Sequence, residues 1–269
     1  MRFAFIIYLF SLIFPNPIDY NLNLISVIEY ENDNNNYGVS DVWGYTDETG
    51  VEYAIVGYLN GTSIVDVSSE NSPVEVISIP GPSSGDYYYH RDYKTYQGYL
   101  YIVNEMYGGD VGMQVVDLNP LPFSSPILVN TYTNIGQSHN LWIDPSGYAF
   151  IEHHSGDNIH IVNIENPSVP TLEGSFGNMA SNCHDIYTRD GMAYVSEGWS
   201  NSFGIYDINN LDNIIELASI SVPGGYAHNA WLNDSGTHLV TTEETTDRTI
   251  KIWNITDLND IFLTGDYLG

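Results

Sequence analysis

Five similar segments recur along the 269-residue chain and constrain its fold more than any other feature. Each segment ends in an apolar residue, an Asp or Asn and another apolar residue, as in Gly61-Thr-Ser-Ile-Val-Asp66-Val. The five Asx positions, which lie 51, 46, 44 and 47 residues apart, are Asp66, Asp117, Asn163, Asp207 and Asn254. This period matches a four-stranded propeller blade and is too long for a leucine-rich repeat.

Each repeat also contains the other strands that a blade needs. A short alternating segment such as His139-Asn140-Leu-Trp opens the unit, and a glycine turn and a second apolar segment follow. A turn rich in Asn, Ser and Pro separates the Asx segment from an outer strand. We therefore predict an all-β fold, a β-propeller of four-stranded blades. The five predicted blades are residues 39–81, 87–133, 137–177, 182–223 and 226–269.

The residues before the first blade raise the question of how the ring closes. Within residues 18–38, the segment Leu22–Glu29 is similar to the outer strand of a blade, and a polar linker follows it. Propellers often close by adding such a strand to the last blade. The fifth unit, however, already contains an outer strand at Ile261–Tyr267. Two interpretations stay open: an incomplete six-bladed ring, or a five-bladed ring that closes differently.

Residues 1–17 have the pattern of a signal peptide. Met1-Arg2 is followed by an apolar run from Phe3 to Phe14 and then by Pro15 and Pro17. The run is shorter than the roughly 20 residues of a membrane-spanning helix, so we expect no transmembrane span in the mature chain. A buried strand or helix at the start of the domain is the alternative. We expect an exported protein that is extracellular, cell-surface or periplasmic.

The charge balance excludes one class of partner. The chain has 34 acidic and 6 basic residues, a net charge of -28, and such a surface repels phosphate backbones. Nucleic-acid binding is therefore excluded, whereas cations are attracted. The single cysteine, Cys183, excludes an internal disulfide and a cysteine-based zinc cluster. Hydrophobic residues make up 43% of the chain, which is enough for a packed core.

Histidines recur where the blades begin. His139, His184 and His228 share one repeat position, and His90 lies one place earlier relative to Asp92. Blade-opening strands line the channel of a propeller, so these residues predict a polar ring that binds a ligand or a cation. The predicted ring consists of His90, Arg91, Asp92, His139, Asn140, His184, Asp185, His228 and Asn229.

A structural interpretation of the same histidines is also open. Each histidine precedes the third-strand Asx of its blade by 23 to 27 residues. This spacing is similar to that of WD-repeat blades, in which such a pair braces a turn. Bracing is favoured because an active site normally breaks the symmetry of the repeats.

Two other groups of residues are weaker candidates. Tyr87, Tyr88 and Tyr89 could stack on sugar rings of a glycan or pack between blades. Glu152, His153 and His154 could bind calcium or another divalent cation, although they form no established metal motif.

Acidic residues at strand ends have simpler interpretations. The five repeated Asx residues are expected to cap the turns that follow them. Five glutamates near the ends of the second strands face a rim or the channel: Glu105, Glu152, Glu197, Glu243 and Glu244. They could bind calcium, but a solvated rim is favoured.

Several motifs resemble those of a known family. Gly61-Thr-Ser-Ile-Val-Asp-Val, Ser138-His-Asn-Leu, Cys183-His-Asp-Ile and Ala227-His-Asn-Ala-Trp are similar to segments of LVIVD-repeat surface proteins, most closely the choice-of-anchor B family. The resemblance covers residues 39–269. It implies a β-propeller exported to a bacterial cell surface, and no activity is established for the family as a class.

These features predict an exported, non-enzymatic propeller that acts as a binding or adhesion module for a cell-surface protein or a glycan. The alternative is a metal-dependent hydrolase or polysaccharide lyase that uses the His, Asp and Tyr residues of the channel. A structural spacer is a third interpretation.

Overall fold

The computed structural model describes residues 23–30, 38–69, 71–83, 90–108, 110–152, 158–177 and 183–268. Within these residues it contains five four-stranded antiparallel sheets, and in each sheet every strand pairs with the next along the chain. The predicted all-β propeller architecture is confirmed. Each sheet is one blade.

The strands of the first three blades follow the predicted order. Blade 1 contains β1 (Val39–Thr46), β2 (Glu52–Tyr58), β3 (Gly61–Asp66) and β4 (Val74–Pro80). Blade 2 contains β5 (Arg91–Tyr96), β6 (Tyr99–Asn104), β7 (Met113–Asp117) and β8 (Ile127–Tyr132). A 3₁₀ helix (Thr133–Ile135) leads to blade 3, with β9 (Leu141–Ile143), β10 (Tyr148–Glu152), β11 (Ile159–Asn163) and β12 (Thr171–Phe176).

The last two blades repeat this arrangement. Blade 4 contains β13 (Asp185–Arg189), β14 (Met192–Ser196), β15 (Ser202–Asp207) and β16 (Ile215–Ser221). Blade 5 contains β17 (Ala227–Leu232), β18 (His238–Glu243), β19 (Ile250–Asn254) and β20 (Phe262–Tyr267).

Apolar side chains hold neighbouring blades together. Alternating residues of the second and third strands form one cluster at each of the four contacts between successive blades. Tyr93 fills the contact between blades 1 and 2, and Phe203 that between blades 4 and 5; both are fully buried. The inner strands β1, β5, β9, β13 and β17 contact one another in this order, and their first residues surround one end of the channel.

The repeated Asx residues end their strands in the same way in all five blades. Each side-chain oxygen accepts a hydrogen bond from the backbone amide two residues later, at 2.9 to 3.0 Å. This is the geometry of an Asx turn, which redirects the chain from the third strand to the outer strand.

Removing one of these acceptors should weaken its blade. We expect Asn163→Ala to lower the free energy of unfolding by about 1 kcal/mol, because the amide of Glu165 loses its partner at 2.9 Å. Asn163→Asp retains the acceptor and serves as the control. Guanidinium denaturation measures both variants, and an unchanged midpoint for Asn163→Ala would contradict the prediction.

The predicted amino-terminal outer strand is not formed by Asn23–Tyr30, which has no strand pairing. The physical reason is that all five described sheets already have an outer strand of their own, including β20 in blade 5. Tyr30 instead stacks on Tyr58 of blade 1, with the ring centroids 5.5 Å apart.

The predicted signal peptide, residues 1–17, and most of the polar linker lie outside the described residues. In the part of the chain that the structure describes, no helix has the length and apolar character needed to cross a membrane.

Candidate active site at the channel mouth

The channel mouth lies at the blade end where the inner strands begin and the second strands finish. It encloses a cavity of about 530 Å³. Eight of the nine predicted ring residues line it: His90, Arg91, Asp92, His139, Asn140, His184, His228 and Asn229. The ninth, Asp185, lines the next part of the channel beside Trp142 and Trp231.

Four imidazole rings form a row across this mouth. The ring centroids of His90 and His139 are 5.2 Å apart, those of His139 and His184 are 4.7 Å apart, and those of His184 and His228 are 4.2 Å apart. The four rings come from four successive blades. The repeat position therefore brings them into direct contact.

The prediction that each histidine is braced by the third-strand Asx of its own blade is wrong. In blade 4 the amide of His184 donates to Ser196, the last residue of β14, whereas Asp207 pairs with Met192 at the other end of that strand. The two side chains lie at opposite ends of the blade, so the regular spacing reflects the length of the strands.

Glu105 joins the first two imidazoles. Its Oε1 is 2.5 Å from His139 Nδ1, and its Oε2 is 3.3 Å from His90 Nδ1. Burial opposes ionisation of Glu105, but the hydrogen bonds from His139 and His90 outweigh it and hold the pKa of the carboxyl well below its usual range. Burial also opposes protonation of His139, but the hydrogen bond and charge of Glu105 prevail and raise its pKa. The result is a half-buried His139–Glu105 pair in which the carboxylate favours the protonated imidazole.

The predicted solvated rim is wrong for four of the five glutamates. Glu105, Glu152 and Glu197 are at most 9% exposed, and the side chain of Glu243 is 1% exposed. Hydrogen bonds compensate this burial: His139 N donates to Glu152 Oε2 at 2.8 Å, and Lys251 Nζ donates to Glu243 Oε1 at 2.7 Å. Only Glu244 of the five is exposed at the rim.

The imidazoles of His184 and His228 are held by oxygen atoms that can accept a hydrogen bond but cannot donate one. His184 Nδ1 lies 2.9 Å from the backbone oxygen of His228, and His228 Nδ1 lies 2.5 Å from Asn229 Oδ1. Each Nδ1 therefore carries a proton, and in the neutral form of such a ring Nε2 keeps the lone pair. Burial, with the nearby rings of His139 and His228, lowers the pKa of His184 to about 3, so this ring is neutral.

Asp92 and Arg91 of blade 2 connect this blade to its two neighbours. Asp92 accepts from Lys94 Nζ at 2.9 Å and from the amide of Leu141 in blade 3 at 2.8 Å. Arg91 is buried and donates to the backbone oxygen of Tyr58 in blade 1 at 2.7 Å.

Two further aspartates, Asp41 and Asp185, line the channel beside these residues. Burial, together with the hydrogen bond to Asp92, raises the pKa of Asp41 to about 7, and burial raises that of Asp185 to about 7. Asn229 Nδ2 donates to Asp185 Oδ2, so the Asp185 carboxyl supports the group that holds His228. Sequence reasoning did not identify Asp41.

The other predicted candidates contribute less to the site. Tyr87, Tyr88, Tyr89, His153 and His154 lie outside the described residues. Glu152 is described, and it orients the backbone of His139.

Among the residues that the structure describes, two groups have metal-ligating atoms within 4.8 Å of one another. They are His90, Glu105 and His139, and His184, His228 and Glu244.

Comparison with known proteins identifies the fold. The chain matches no protein-family model and no curated relative. Solved structures match well: a protein of unknown function from Desulfotomaculum acetoxidans has a TM-score of 0.65 at 17% identity, over 86% of this chain and 70% of that one. The periplasmic gluconolactonase of Pseudomonas aeruginosa has a TM-score of 0.64 at 11% identity, over 83% of this chain and 69% of that one. A candidate 6-phosphogluconolactonase from Bacteroides uniformis has a TM-score of 0.63 at 15% identity, over 83% of this chain and 70% of that one.

The predicted non-enzymatic binding module is wrong. It depended on the regularity of the repeats, yet structures with this same fold are named as lactonases. The channel mouth of this chain is also chemically asymmetric, because Glu105 binds two imidazoles while His184 and His228 are held by a backbone oxygen and an amide.

Proposed function

We propose that the channel mouth is the active site of a hydrolase that opens the cyclic esters of sugars, the lactones. The observation that carries the proposal is the half-buried His139–Glu105 pair beside the neutral ring of His184 in an open cavity. Support also comes from the gluconolactonase names of two structures with the same fold.

The two kinds of imidazole suit the two demands of ester hydrolysis. Attack of water on the acyl carbon places negative charge on the carbonyl oxygen, and the imidazolium of His139 is a donor that can stabilise it. The lone pair of His184 Nε2 accepts a hydrogen bond from the attacking water and orients it. The ring C–O bond then breaks, the water proton passes to the departing alkoxide, and an open-chain hydroxy acid leaves.

The charges of the mouth favour a substrate without a phosphate group. Glu105, Glu152, Glu244 and Asp92 line the cavity and repel anions. Arg91 also lines it, but its guanidinium is directed at the Tyr58 backbone oxygen. A neutral lactone enters more readily than a phosphorylated one, and the acid that forms is repelled.

The test is hydrolysis of glucono-1,5-lactone, measured as acid release in a pH-stat after subtraction of the spontaneous rate. We expect His139→Gln to lower kcat/KM about 100-fold, because one charged oxyanion donor is lost. The matched control is His238→Gln, a histidine at the opposite end of blade 5 that contacts Thr237. A wild-type rate equal to the spontaneous rate, or equal rates for the two variants, would overturn the proposal. The 6-phosphorylated lactone should be the poorer substrate.

Export and kinship with the LVIVD-repeat proteins also remain proposals. The gluconolactonase from Pseudomonas aeruginosa is named as periplasmic, which is compatible with export of this chain. Amino-terminal sequencing of protein recovered from outside the cytoplasm tests the export proposal, and material that begins at Met1 would contradict it.

A further inference from the structure

We propose that His184, His228 and Glu244 bind one divalent transition-metal ion, with zinc as the best fit. Two imidazoles and one carboxylate form an established ligand set for zinc that leaves a fourth position for water. The binding itself is independent of the proposed function, whereas a role of the ion in activating water rests on it.

The positions of the ligating atoms suit such an ion. One atom from each residue lies within 4.8 Å of the others, and His228 Nε2 is 3.9 Å from Glu244 Oε2. Ligands of a tetrahedral zinc ion, each about 2.0 to 2.1 Å from the metal, lie roughly 3.3 Å apart. The His228–Glu244 pair therefore needs to close by about 0.6 Å, and no pair needs to close by more than about 1.5 Å. Glu244 is free to make this movement, because its side chain is 66% exposed.

The groups behind the two imidazoles are an independent observation that points to a metal. A histidine that binds a metal normally donates its other ring N–H to an oxygen, which fixes the tautomer and the orientation of the ring. His184 Nδ1 and His228 Nδ1 both do this, to the His228 backbone oxygen and to Asn229 Oδ1. Asn229 is in turn held by Asp185.

The other candidate group is organised differently. Both oxygens of Glu105 contact Nδ1 atoms, at 2.5 Å for His139 and 3.3 Å for His90, so the carboxylate is occupied by the imidazoles. This group is an ion pair that orients His139. The channel mouth therefore combines an ion-paired half with a metal-binding half.

The ion would activate the attacking water of the proposed hydrolase, which must give up a proton as it adds to the acyl carbon. Zinc lowers the pKa of a bound water to about 7, and His184 would then act as a ligand.

The test is titration of the full-length protein, stripped with a chelator, with zinc in an isothermal calorimeter, in the presence of excess calcium to occupy surface carboxylates. We expect one zinc ion per chain. His228→Ala should weaken binding at least about 100-fold, and Asn229→Ala, which removes only the group behind the ligand, by about 10- to 100-fold. His90→Ala is the matched control and should bind zinc within twofold of the wild type.

Replacement of zinc by cobalt gives a second readout that does not depend on activity, because a tetrahedral cobalt site absorbs strongly in the visible. Absence of stoichiometric zinc binding by the wild type would overturn the proposal, as would loss of binding in His90→Ala and not in His228→Ala. Zinc binding without lactone hydrolysis would sink the proposed function and leave the metal site standing. Hydrolysis by metal-free protein would support the proposed function and remove only the role of the ion in activating water.

Discussion

Replacing Glu105 by Gln should lower kcat/KM for the lactone by at least about 100-fold while the protein stays folded. Within the described residues, Glu105 is the only counter-charge that the structure shows within hydrogen-bonding distance of the His139 ring. Without it, only the charges of Glu152 and Asp92 oppose the effect of burial on His139, and the pKa of the ring should fall. A smaller share of the protein would then carry the protonated ring that serves as the charged oxyanion donor.

The same pair has a defined effect on stability. The lowered pKa of Glu105 stabilises the folded state above pH 4.5 and is lost as the pH falls, whereas the raised pKa of His139 stabilises it below pH 6.5 and is lost as the pH rises. The stabilising contribution of the pair is therefore complete between pH 4.5 and 6.5. In Glu105→Gln this contribution should disappear from that window.

Imidazole resonances in two-dimensional NMR measure the pKa of His139 directly, and the pH-stat assay measures the rate. Glu165→Gln, an exposed glutamate in the turn after β11, is the matched control and should change neither quantity. An unchanged His139 pKa in Glu105→Gln would show that the pair does not hold the charge, whatever happens to the rate.

The largest effect on stability is expected from a single methyl group in blade 1. Gly61 begins β3 and pairs with Pro80 of the outer strand. A Cβ at Gly61 would collide with the backbone oxygen of Ile79, and a backbone atom cannot move aside as a flexible side chain would. We expect Gly61→Ala to lower the free energy of unfolding by about 2 to 3 kcal/mol.

Gly44→Ala is the matched control, because Gly44 is also a strand glycine of blade 1 and a Cβ there would have no atom within 4 Å. Its effect should be neutral or slightly stabilising, since alanine loses less backbone entropy on folding. Guanidinium denaturation with unchanged slopes measures both variants. Equal midpoints for the two variants would contradict this account of Gly61.

The architecture could be predicted from the sequence because one period is repeated five times and each repeat has the same strand pattern. The Asx residues and the blade-opening histidines share that period, so their positions in the blade followed from the repeats. The repeats did not show at which end of the blade a given residue lies. His184 and Asp207 are 23 residues apart in the chain, yet they lie at opposite ends of blade 4.

The ring partners of His139 and His184 could not be predicted, because they come from neighbouring blades. His139 and Glu105 are 34 residues apart and belong to blades 3 and 2. A signal was nevertheless present: Glu105, Glu152 and Glu197 follow His90, His139 and His184 by 15, 13 and 13 residues. Antiparallel pairing of the first two strands brings both ends of such an interval to one edge of the blade. Acidic residues at this interval should have been assigned to the channel mouth.

The row of imidazoles, one from each of four successive blades, has a consequence for how such a site can arise in evolution. Duplication of a single unit delivers a histidine to the axis of the ring with every added copy. Each copy can then change its supporting group independently, a carboxylate for one ring and an amide or a backbone oxygen for another. A binding site of several ligands can therefore accumulate one unit at a time, and a single substitution in one unit can alter its chemistry without disturbing the others.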